Sequence, residues 1–190
     1  MLQIHSTIFV YSGCPEGWLY HEGSYYIFHD ISLDYSKAED ECRRAGAVVT
    51  TAKSKEERDA ILSISSVADS IWIGATDQDV EGHFRWPDGS ALTGSNWNKG
   101  EPNNRGNEDC VLMTRDGKWN DYPCTRKNKF VCKRTPTACL PGWTLYQGGC
   151  YKHHAEDAVY DDAQAVCDDE DAVVSPTQSI GELSFIMSLK

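Results

Sequence analysis

The chain has 190 residues, of which 40% are hydrophobic and 25% charged, and its formal net charge is −11. A chain of this length holds one large domain, or one domain with part of another. The acidic balance argues against nucleic acid and anionic membrane surfaces as partners, because no basic patch exists to neutralise phosphates. No stretch is long enough to cross a membrane, so direct membrane insertion is not expected.

The eight cysteines indicate an oxidising compartment. No two of them have the close spacing of a zinc knuckle, and disulfides are the usual role of so many cysteines in a small domain. Residues 1–10 make a poor signal peptide, because they lack a basic start and have a short apolar run. The sequence therefore predicts a secreted protein or an ectodomain, without a convincing signal peptide.

The first predicted elements are a pair of strands and a helix. Aromatic and β-branched residues flank a turn at Gly23, which favours paired strands over residues 14–33. A helix follows over residues 34–45, with Asp34 or Ser36 as its N-cap. Its buried face is expected to comprise Tyr35, Ala38 and Cys42.

A second helix is predicted to begin at Ser54, with Glu57 completing a capping box. It is expected to bury Ala60, Ile61 and Ile64. Residues 71–75 are predicted to form a buried strand, followed by a long loop over residues 76–109 with little periodicity. A loop of that length in a compact domain is usually functional. Strands are then predicted at residues 110–114 and 130–132, with a turn at residues 115–118.

Five side chains in and after the long loop offer hard oxygen donors, and no His or thiolate is among them. They are Glu101, Asn103, Glu108, Asn120 and Asp121. Calcium takes six to eight oxygen ligands from carboxylates, amide carbonyls and water, so this group has the chemistry of a calcium site. The alternative is a polar surface loop in which Asn, Asp, Gly and Pro only form turns.

Two sets of residues around this loop carry a resemblance to a known family. One set is the cysteines Cys42, Cys110, Cys124 and Cys132, and the other is the motifs Trp72-Ile73-Gly74, Asn96-Trp97 and Trp119-Asn120-Asp121. Together they closely resemble a C-type lectin-like domain over residues 14–132. The resemblance implies an α+β fold with two helices, small antiparallel sheets and a long calcium-binding loop region.

The resemblance also implies a carbohydrate site. In that family, Glu-Pro-Asn together with Trp-Asn-Asp marks a calcium site for sugars of the mannose class, and a galactose-type site reads Gln-Pro-Asp. The five oxygen donors above would hold the principal Ca²⁺ and contact the sugar, with Pro102 in a cis peptide. Arg105 and Tyr122 lie where relatives contact the sugar further out, although both are equally typical of plain surface residues.

A second calcium site is implied by the same resemblance. Its residues would be Asp77, Glu81, Asn104 and Asp109, sharing Glu108 with the principal site. The alternative interpretation of Asp77 and Glu81 is a solvated acidic turn.

By resemblance, three disulfides are expected: Cys42–Cys132, Cys110–Cys124 and Cys139–Cys150. The first would tie the first helix to the last strand, and the second would brace the loop that carries Trp119. Cys14 and Cys167 have no family partner in this chain. They either pair with each other or stay unpaired, and we favour the second.

An internal repeat starts after a short linker. Ten residues recur at a fixed offset of 125 positions: Cys14, Trp18, Gly23, Tyr26, Ala38, Cys42, Val48, Val49, Ser54 and Glu57. Such self-similarity indicates a repeated structural unit. We therefore expect a lectin-like domain at residues 14–133, a linker at 134–138 and an incomplete second domain at 139–190, as in part of a tandem protein. A helix over residues 156–171 is expected in the second copy.

These features predict calcium-dependent binding of glycans or glycoproteins bearing mannose, fucose or N-acetylglucosamine. Two alternatives remain: an extracellular adhesion or recognition module in which calcium is only structural, and an inactive fragment. An enzyme is not expected, because the sequence has no Ser/His/Asp signature, phosphate-binding loop or zinc motif.

Overall fold

The structure is a computed structural model, and the chain forms two compact units. The central unit is Tyr25–Arg134, and the terminal unit combines Met1–Ser24 with Thr135–Lys190. The residues that the structure describes are 3–4, 7–11, 17–66, 68–94, 96–136, 143–146, 149–154, 158–159, 173–174, 184–185 and 188–189.

The described residues contain two helices, α1 (Tyr35–Arg44) and α2 (Lys55–Ile64). In chain order, the strands are β1 (Gln3–Ile4), β2 (Thr7–Tyr11), β3 (Leu19–His21), β4 (Ser24–Leu33), β5 (Val48–Val49), β6 (Ser70–Thr76), β7 (Cys110–Thr114), β8 (Trp119–Tyr122), β9 (Asn128–Arg134), β10 (Thr144–Tyr146), β11 (Gly149–His154), β12 (Ala158–Val159) and β13 (Val173–Val174). No described helix is long and apolar enough to cross a membrane.

Both helices of the central unit begin at side-chain caps. Asp34 accepts a hydrogen bond from the Lys37 N–H at 3.1 Å, and Ser54 accepts one from the Glu57 N–H at 2.9 Å. Each cap satisfies a backbone donor that a first helical turn leaves unpaired. The predicted buried face of α1 is confirmed, since Tyr35, Ala38 and Cys42 are all buried.

The prediction for α2 needs a correction. Of its three expected core residues only Ile61 is fully buried, while Ala60 and Ile64 are half-buried. Glu57 is buried instead, and its carboxylate accepts from the Lys53 N–H at 2.8 Å. The Lys133 ammonium, 2.6 Å away on β9, draws this carboxylate inward, towards the sheet.

The strands of the central unit follow the order β4–β9–β6–β7–β8, with β5 also paired to β9. The β6–β9 pair is parallel, and the other pairs in this order are antiparallel. The predicted strand at residues 71–75 lies within β6 and is buried, as expected. Gly74 permits this packing, because a Cβ built there would lie 2.4 Å from the Val49 carbonyl oxygen on β5.

The long loop between β6 and β7 carries only isolated bridges, not strands, in its described parts, 77–94 and 96–109. Two of its tryptophans pack on Trp119, which is buried on β8. The rings of Trp86 and Trp97 meet that of Trp119 edge to face, with centroids 5.8 and 6.0 Å apart. Trp72 and Trp86 are buried and Trp97 is half-buried.

Two of the three expected disulfides lie in the central unit. Cys42 pairs with Cys132, and Cys110 pairs with Cys124. Each restricts the unfolded chain, which stabilises the fold by about 3–4.7 kcal/mol in the entropy model. Cys150 is also disulfide-bonded. Cys14, Cys139 and Cys167 lie outside the described residues, so the Cys139–Cys150 pair stays a prediction.

The terminal unit contains a sheet of order β10–β11–β2–β13 and a separate pair of β1 with β12. The hairpin of β10 and β11 agrees with the strands expected at the start of a second copy. The expected helix over 156–171 is wrong at its start, because Ala158–Val159 pairs with Gln3–Ile4 as a strand. Apart from Val173–Val174, the rest of that copy up to residue 183 lies outside the described residues.

Candidate functional site

Strand β8 positions the centre of the site. The Trp119 N–H donates to the Asn96 carbonyl at 3.0 Å, and the Asn98 N–H donates to the Trp119 carbonyl at 2.7 Å. These bonds bind the long loop to β8 just before the two candidate ligands that follow Trp119. Asn120 is half-buried, and Asp121, on the opposite face of the strand, is fully buried.

Asp121 holds the loop in place. Its carboxylate accepts hydrogen bonds from the backbone N–H groups of Asn103, at 2.8 Å, and Asn104, at 2.7 Å. The peptide between Glu101 and Pro102 is cis, as the resemblance predicted. The sequence predicted Asp121 as a calcium ligand but not as the acceptor that holds this loop backbone. Asn103 and Asn104 lie 18 and 17 residues before Asp121, too far for a local sequence pattern to predict the contact.

Glu108 closes the other side of the group. Its side chain accepts a hydrogen bond from the Arg105 N–H at 2.9 Å, and its own N–H donates to the Asn104 side-chain oxygen at 2.9 Å. Only 9% of Glu108 is exposed. The loop therefore folds back so that Glu108 and Asp121 both bond to the segment between Asn103 and Arg105.

The two asparagine amides complete the group. The Asn103 amide donates to the Glu101 carboxylate, and the Asn120 amide donates to the Asp121 carbonyl at 2.6 Å. The structure thus brings together Glu101, Asn103, Glu108 and Asp121, four of the five side chains that the sequence selected as oxygen donors. The amide of the fifth, Asn120, bonds to the neighbouring backbone.

The charges of this group are unbalanced. Partial burial and the neighbouring carboxylates of Asp121 and Glu108 raise the pKa of Glu101, against the lowering effect of the Asn103 amide. Within the described residues, no lysine or arginine forms an ion pair with Glu101, Glu108 or Asp121. Three close carboxylates without a counter-charge favour either a proton or a cation.

The donor set fits calcium better than other metals. Every candidate side chain offers a carboxylate or amide oxygen, which are the ligands of a hard cation, while zinc selects nitrogen and sulfur. In the part of the chain that the structure describes, no three Asp, Glu, His or Cys side chains form a metal-binding group by themselves. An ion here would therefore also need the amide oxygens of Asn103 and Asn120, whose amide nitrogens make the hydrogen bonds to Glu101 and Asp121.

The residues of the second candidate site lie next to the first. Asp77 is 3% exposed, and one of its carboxylate oxygens accepts the Gly82 N–H at 2.7 Å. Its other oxygen, Oδ1, is buried without a hydrogen-bond partner. Burial, with the charges of Glu81 and Asp109, raises the pKa of Asp77. A buried carboxylate oxygen without a hydrogen-bond partner costs folding free energy, and a bound cation would offset that cost. A cation therefore fits this position too.

Links within the loop join the two groups. The Asp77 N–H donates to the Asp109 carbonyl at 3.1 Å, and Asp109 follows Glu108 directly. Asn104 contacts Glu108 through its side chain, as described above. All five residues expected for the auxiliary site therefore lie in one continuous loop region.

The two predicted outer sugar contacts occupy different surroundings. Arg105 is exposed beside Asn103 and Glu108. Tyr122 is half-buried on the same face of β8 as Asn120, and its ring centroid lies 6.1 Å from that of Trp72. Arg105 is thus at the surface, whereas Tyr122 packs partly against the core.

One supporting residue was not selected from the sequence. The Asn96 amide donates to the Gly117 carbonyl at 2.5 Å and so fixes the turn that precedes β8. The sequence feature that could have identified Asn96 is its place in the Asn96-Trp97 motif of the family.

Comparison with known proteins gives consistent results. Residues 31–134 match the family described as Lectin C-type domain. CD209 antigen-like protein A of Mus musculus is 38% identical over 129 residues, covering 66% of this chain and 54% of the relative. The chain thus spans about half the length of that relative.

Solved structures agree with this match. The carbohydrate-recognition domain of the mouse scavenger receptor C-type lectin has a TM-score of 0.62 and 31% identity, covering 67% of this chain and 100% of that domain. The carbohydrate-recognition domain of cow CD23, solved in the presence of a GlcNAc2Man3 oligosaccharide, also has a TM-score of 0.62. It is 36% identical, over 66% of this chain and 98% of that domain.

Proposed function

Since the chain belongs to the C-type lectin domain family, whose members are non-enzymatic carbohydrate-binding proteins, we propose that it binds glycans in a calcium-dependent manner. The proposed ligands of the principal ion are Glu101, Asn103, Glu108, Asn120 and Asp121. The observation that carries this proposal is that Glu101, Glu108 and Asp121 lie together while, in the described part of the chain, no lysine or arginine forms an ion pair with them. Acids arranged in this way are stabilised by a divalent ion.

The proposed sugars are those of the mannose class, including fucose and N-acetylglucosamine. A bound Ca²⁺ would supply coordination positions for two adjacent sugar hydroxyls. The Glu101 carboxylate would then accept a hydrogen bond from one hydroxyl, and the Asn103 amide would donate one to the other. Cow CD23, whose carbohydrate-recognition domain is 36% identical to this chain, was solved in the presence of an oligosaccharide of mannose and N-acetylglucosamine. That oligosaccharide supports the proposal of mannose-class sugars here.

We extend the proposal to the auxiliary site and to the chain's setting. Asp77, Glu81, Asn104, Glu108 and Asp109 are proposed to hold a second calcium ion. The disulfides support an extracellular location, secreted or in an ectodomain, with glycoproteins as partners. The proposed domain is residues 14–133, followed by a linker at 134–138 and a second copy that begins at residue 139.

Retention on a mannose resin tests the proposal directly. The chain should bind in millimolar calcium and elute with a chelator. Asn120→Ala removes one oxygen ligand and should abolish retention. Asn98→Ala, an exposed asparagine of the same loop outside the ligand set, is the matched control and should be retained.

Two results would contradict the proposal. Retention that persists in chelator would rule out the role of calcium. Calcium-induced stabilisation without any retention on a panel of sugars would instead favour the recognition module with structural calcium.

The Glu101 and Asn103 pair should set the sugar class. Replacing them together by Glu101→Gln and Asn103→Asp exchanges the hydrogen-bonding character of the two side chains while both keep an oxygen for the ion. We expect preference to move from mannose towards galactose, with the calcium-induced rise in melting temperature retained. A double variant that still prefers mannose would show that this pair does not determine specificity.

A further inference from the structure

The two disulfides of the central unit differ in their access to solvent. Cys42 and Cys132 are both fully buried, and so is Cys110. Cys124, the partner of Cys110, is half-buried in a turn that follows β8. Its Sγ accepts a hydrogen bond from the Gln78 amide at 3.5 Å, and this contact lies at the surface. A thiol from solution can therefore approach one disulfide of the folded unit but not the other.

The accessible disulfide lies next to residues of both candidate calcium sites. Cys110 directly follows Asp109, whose carbonyl accepts a hydrogen bond from the Asp77 N–H at 3.1 Å. Cys124 follows Asp121 by three residues, and the Asp121 carboxylate holds the loop backbone. The covalent link thus joins a segment of the auxiliary site to a segment of the principal site.

The disulfide also secures the end of an edge strand. In the strand order of the sheet, β8 comes last and pairs with β7. The final residue pair of this ladder is Cys110 with Tyr122, and the pair before it is Val111 with Asp121. Backbone pairs at the end of an edge strand open most readily. A link that begins at the final pair therefore keeps Asp121 in register, and without it the fraying reaches Asp121 after one pair.

We propose that the Cys110–Cys124 disulfide is a site of reversible thiol–disulfide exchange with dithiols, and that its reduction switches off calcium-dependent glycan binding. This inference rests on the proposed function, because the switch acts on the proposed calcium ligands. The exposure of one sulfur and the position of the link beside those ligands support it. The buried Cys42–Cys132 disulfide stays closed and keeps α1 attached to β9.

The exchange proceeds in two steps. A thiolate of the dithiol attacks the Cys124 Sγ and forms a mixed disulfide, while the Cys110 sulfur leaves as a thiolate and takes a proton from solvent. The second thiolate of the reagent then attacks the reagent's own sulfur in the mixed disulfide and releases the Cys124 thiolate, which is protonated in turn. The dithiol is oxidised to a cyclic disulfide, and its two electrons reduce the protein disulfide to two thiols. Attack at Cys124 is the open route, because Cys110 is buried.

Calcium binding and reduction should be coupled in both directions. If reduction weakens calcium binding by some factor, calcium must oppose reduction by the same factor, because linkage between two equilibria is reciprocal. In the reduced chain, a frayed Asp121 no longer accepts from the Asn103 and Asn104 N–H groups. We therefore expect a loss of calcium affinity of about tenfold, with an equal shift in the dithiol ratio at half-reduction.

A redox titration of the full chain tests this coupling. The chain is equilibrated in mixtures of reduced and oxidised dithiothreitol, in millimolar calcium or in chelator, and its free thiols are alkylated and located by peptide mapping. Cys110 and Cys124 should become labelled at a lower ratio of reduced to oxidised reagent than Cys42 and Cys132, which are the internal control. Calcium should raise that lower ratio by about tenfold. Retention on mannose resin should be lost at the same ratio and return on reoxidation.

The outcomes of the titration separate this inference from the proposed function. Labelling of all four cysteines at a single ratio would mean that the whole unit opens, and would overturn the switch. A half-reduction ratio that calcium leaves unchanged, although calcium stabilises the oxidised chain against heat, would overturn it as well. An oxidised chain that does not respond to calcium at all would instead contradict the proposed calcium site, and the switch would fall with it.

A double variant provides an independent measurement. Cys110→Ala combined with Cys124→Ala removes the link permanently, so calcium should bind about tenfold more weakly even in oxidising buffer, with no further response to dithiol. A cooperative thermal transition in chelator shows that the variant is folded. A folded double variant with the calcium affinity of wild type would show that this disulfide does not control the site.

Discussion

Buried carboxylates occur in two regions of the central unit, and their surroundings are opposite. Glu57 on α2 has its counter-charge within the chain: its side chain is 8% exposed and lies 2.6 Å from the Lys133 ammonium. It also accepts hydrogen bonds from Thr51 at 2.5 Å and from Tyr26 at 3.1 Å. At the proposed site, Glu101 and Glu108 of the long loop and Asp121 of β8 lie together with no ion-pair partner among the described residues.

The pKa values follow this difference. Burial alone would raise the pKa of Glu57, but the hydrogen bonds from Lys133 and Thr51 and the charge of Lys133 outweigh it and lower the pKa. The pKa of Glu101 is raised, because burial and like charges act in the same direction there. The first group is complete as a structural ion pair, whereas the second has no cationic side chain paired with it among the described residues, which is the arrangement that a bound cation would balance. The missing partner, rather than the number of acids, is what supports the proposed calcium site.

Breaking the internal pair should have the largest effect. Lys133→Met leaves the buried Glu57 charge unpaired and should cost about 3–5 kcal/mol in the free energy of unfolding, whether calcium or chelator is present. Denaturant unfolding measures the loss. Adding Glu57→Gln to Lys133→Met should recover most of it, because the buried charge is then absent. A single variant that matches wild type would show that the pair is not structural.

Calcium should stabilise the loop group by a smaller amount. At a hundredfold excess over Kd, binding to the folded state alone contributes about 2.7 kcal/mol. Asp121→Asn should abolish this increment. It should also lower the free energy of unfolding in chelator, because it weakens the hydrogen bonds from the Asn103 and Asn104 N–H groups. The difference between calcium and chelator, measured by thermal unfolding, is the relevant quantity. A wild-type melting temperature that does not respond to millimolar calcium would refute the calcium site.

The two regions should also differ in their response to acid. Since the pKa of Glu57 is lowered from its ordinary value of 4.5, its contribution to stability is present above that pH and is lost as the pH falls through the folded-state pKa. In chelator, wild type should therefore lose stability below about pH 4.5 more steeply than the variant combining Glu57→Gln with Lys133→Met. Parallel unfolding curves of the two proteins over this range would contradict the assignment.

An exposed ion pair should matter least. Lys129 lies 2.5 Å from Asp30, whose side chain is 66% exposed. Lys129→Met should change the unfolding free energy by less than about 1 kcal/mol, because solvent screens such pairs. It is the control for Lys133→Met, since both substitutions lie on β9. A loss comparable to that of Lys133→Met would mean that burial does not explain the difference between the two lysines.

The sequence by itself determined the local elements and the chemistry of the site. Caps at Asp34 and Ser54, the apolar run at residues 71–75 and the turn at residues 115–118 depend on neighbouring residues, so pattern and propensity found them. The five oxygen donors were identified from residue type and spacing, and the resemblance supplied their grouping and the disulfides of the central unit.

Only the tertiary structure decided which distant groups meet. The Lys133 ammonium reaches Glu57 across 76 residues, and Asp121 holds the backbone of a loop 17 residues before it. The same holds for β2, whose Tyr11 faces Cys150 although nothing in its local sequence specifies that neighbour. Local patterns encode helices, turns and the ligands of an ion, but pairing across long separations depends on which buried groups would otherwise lack a partner.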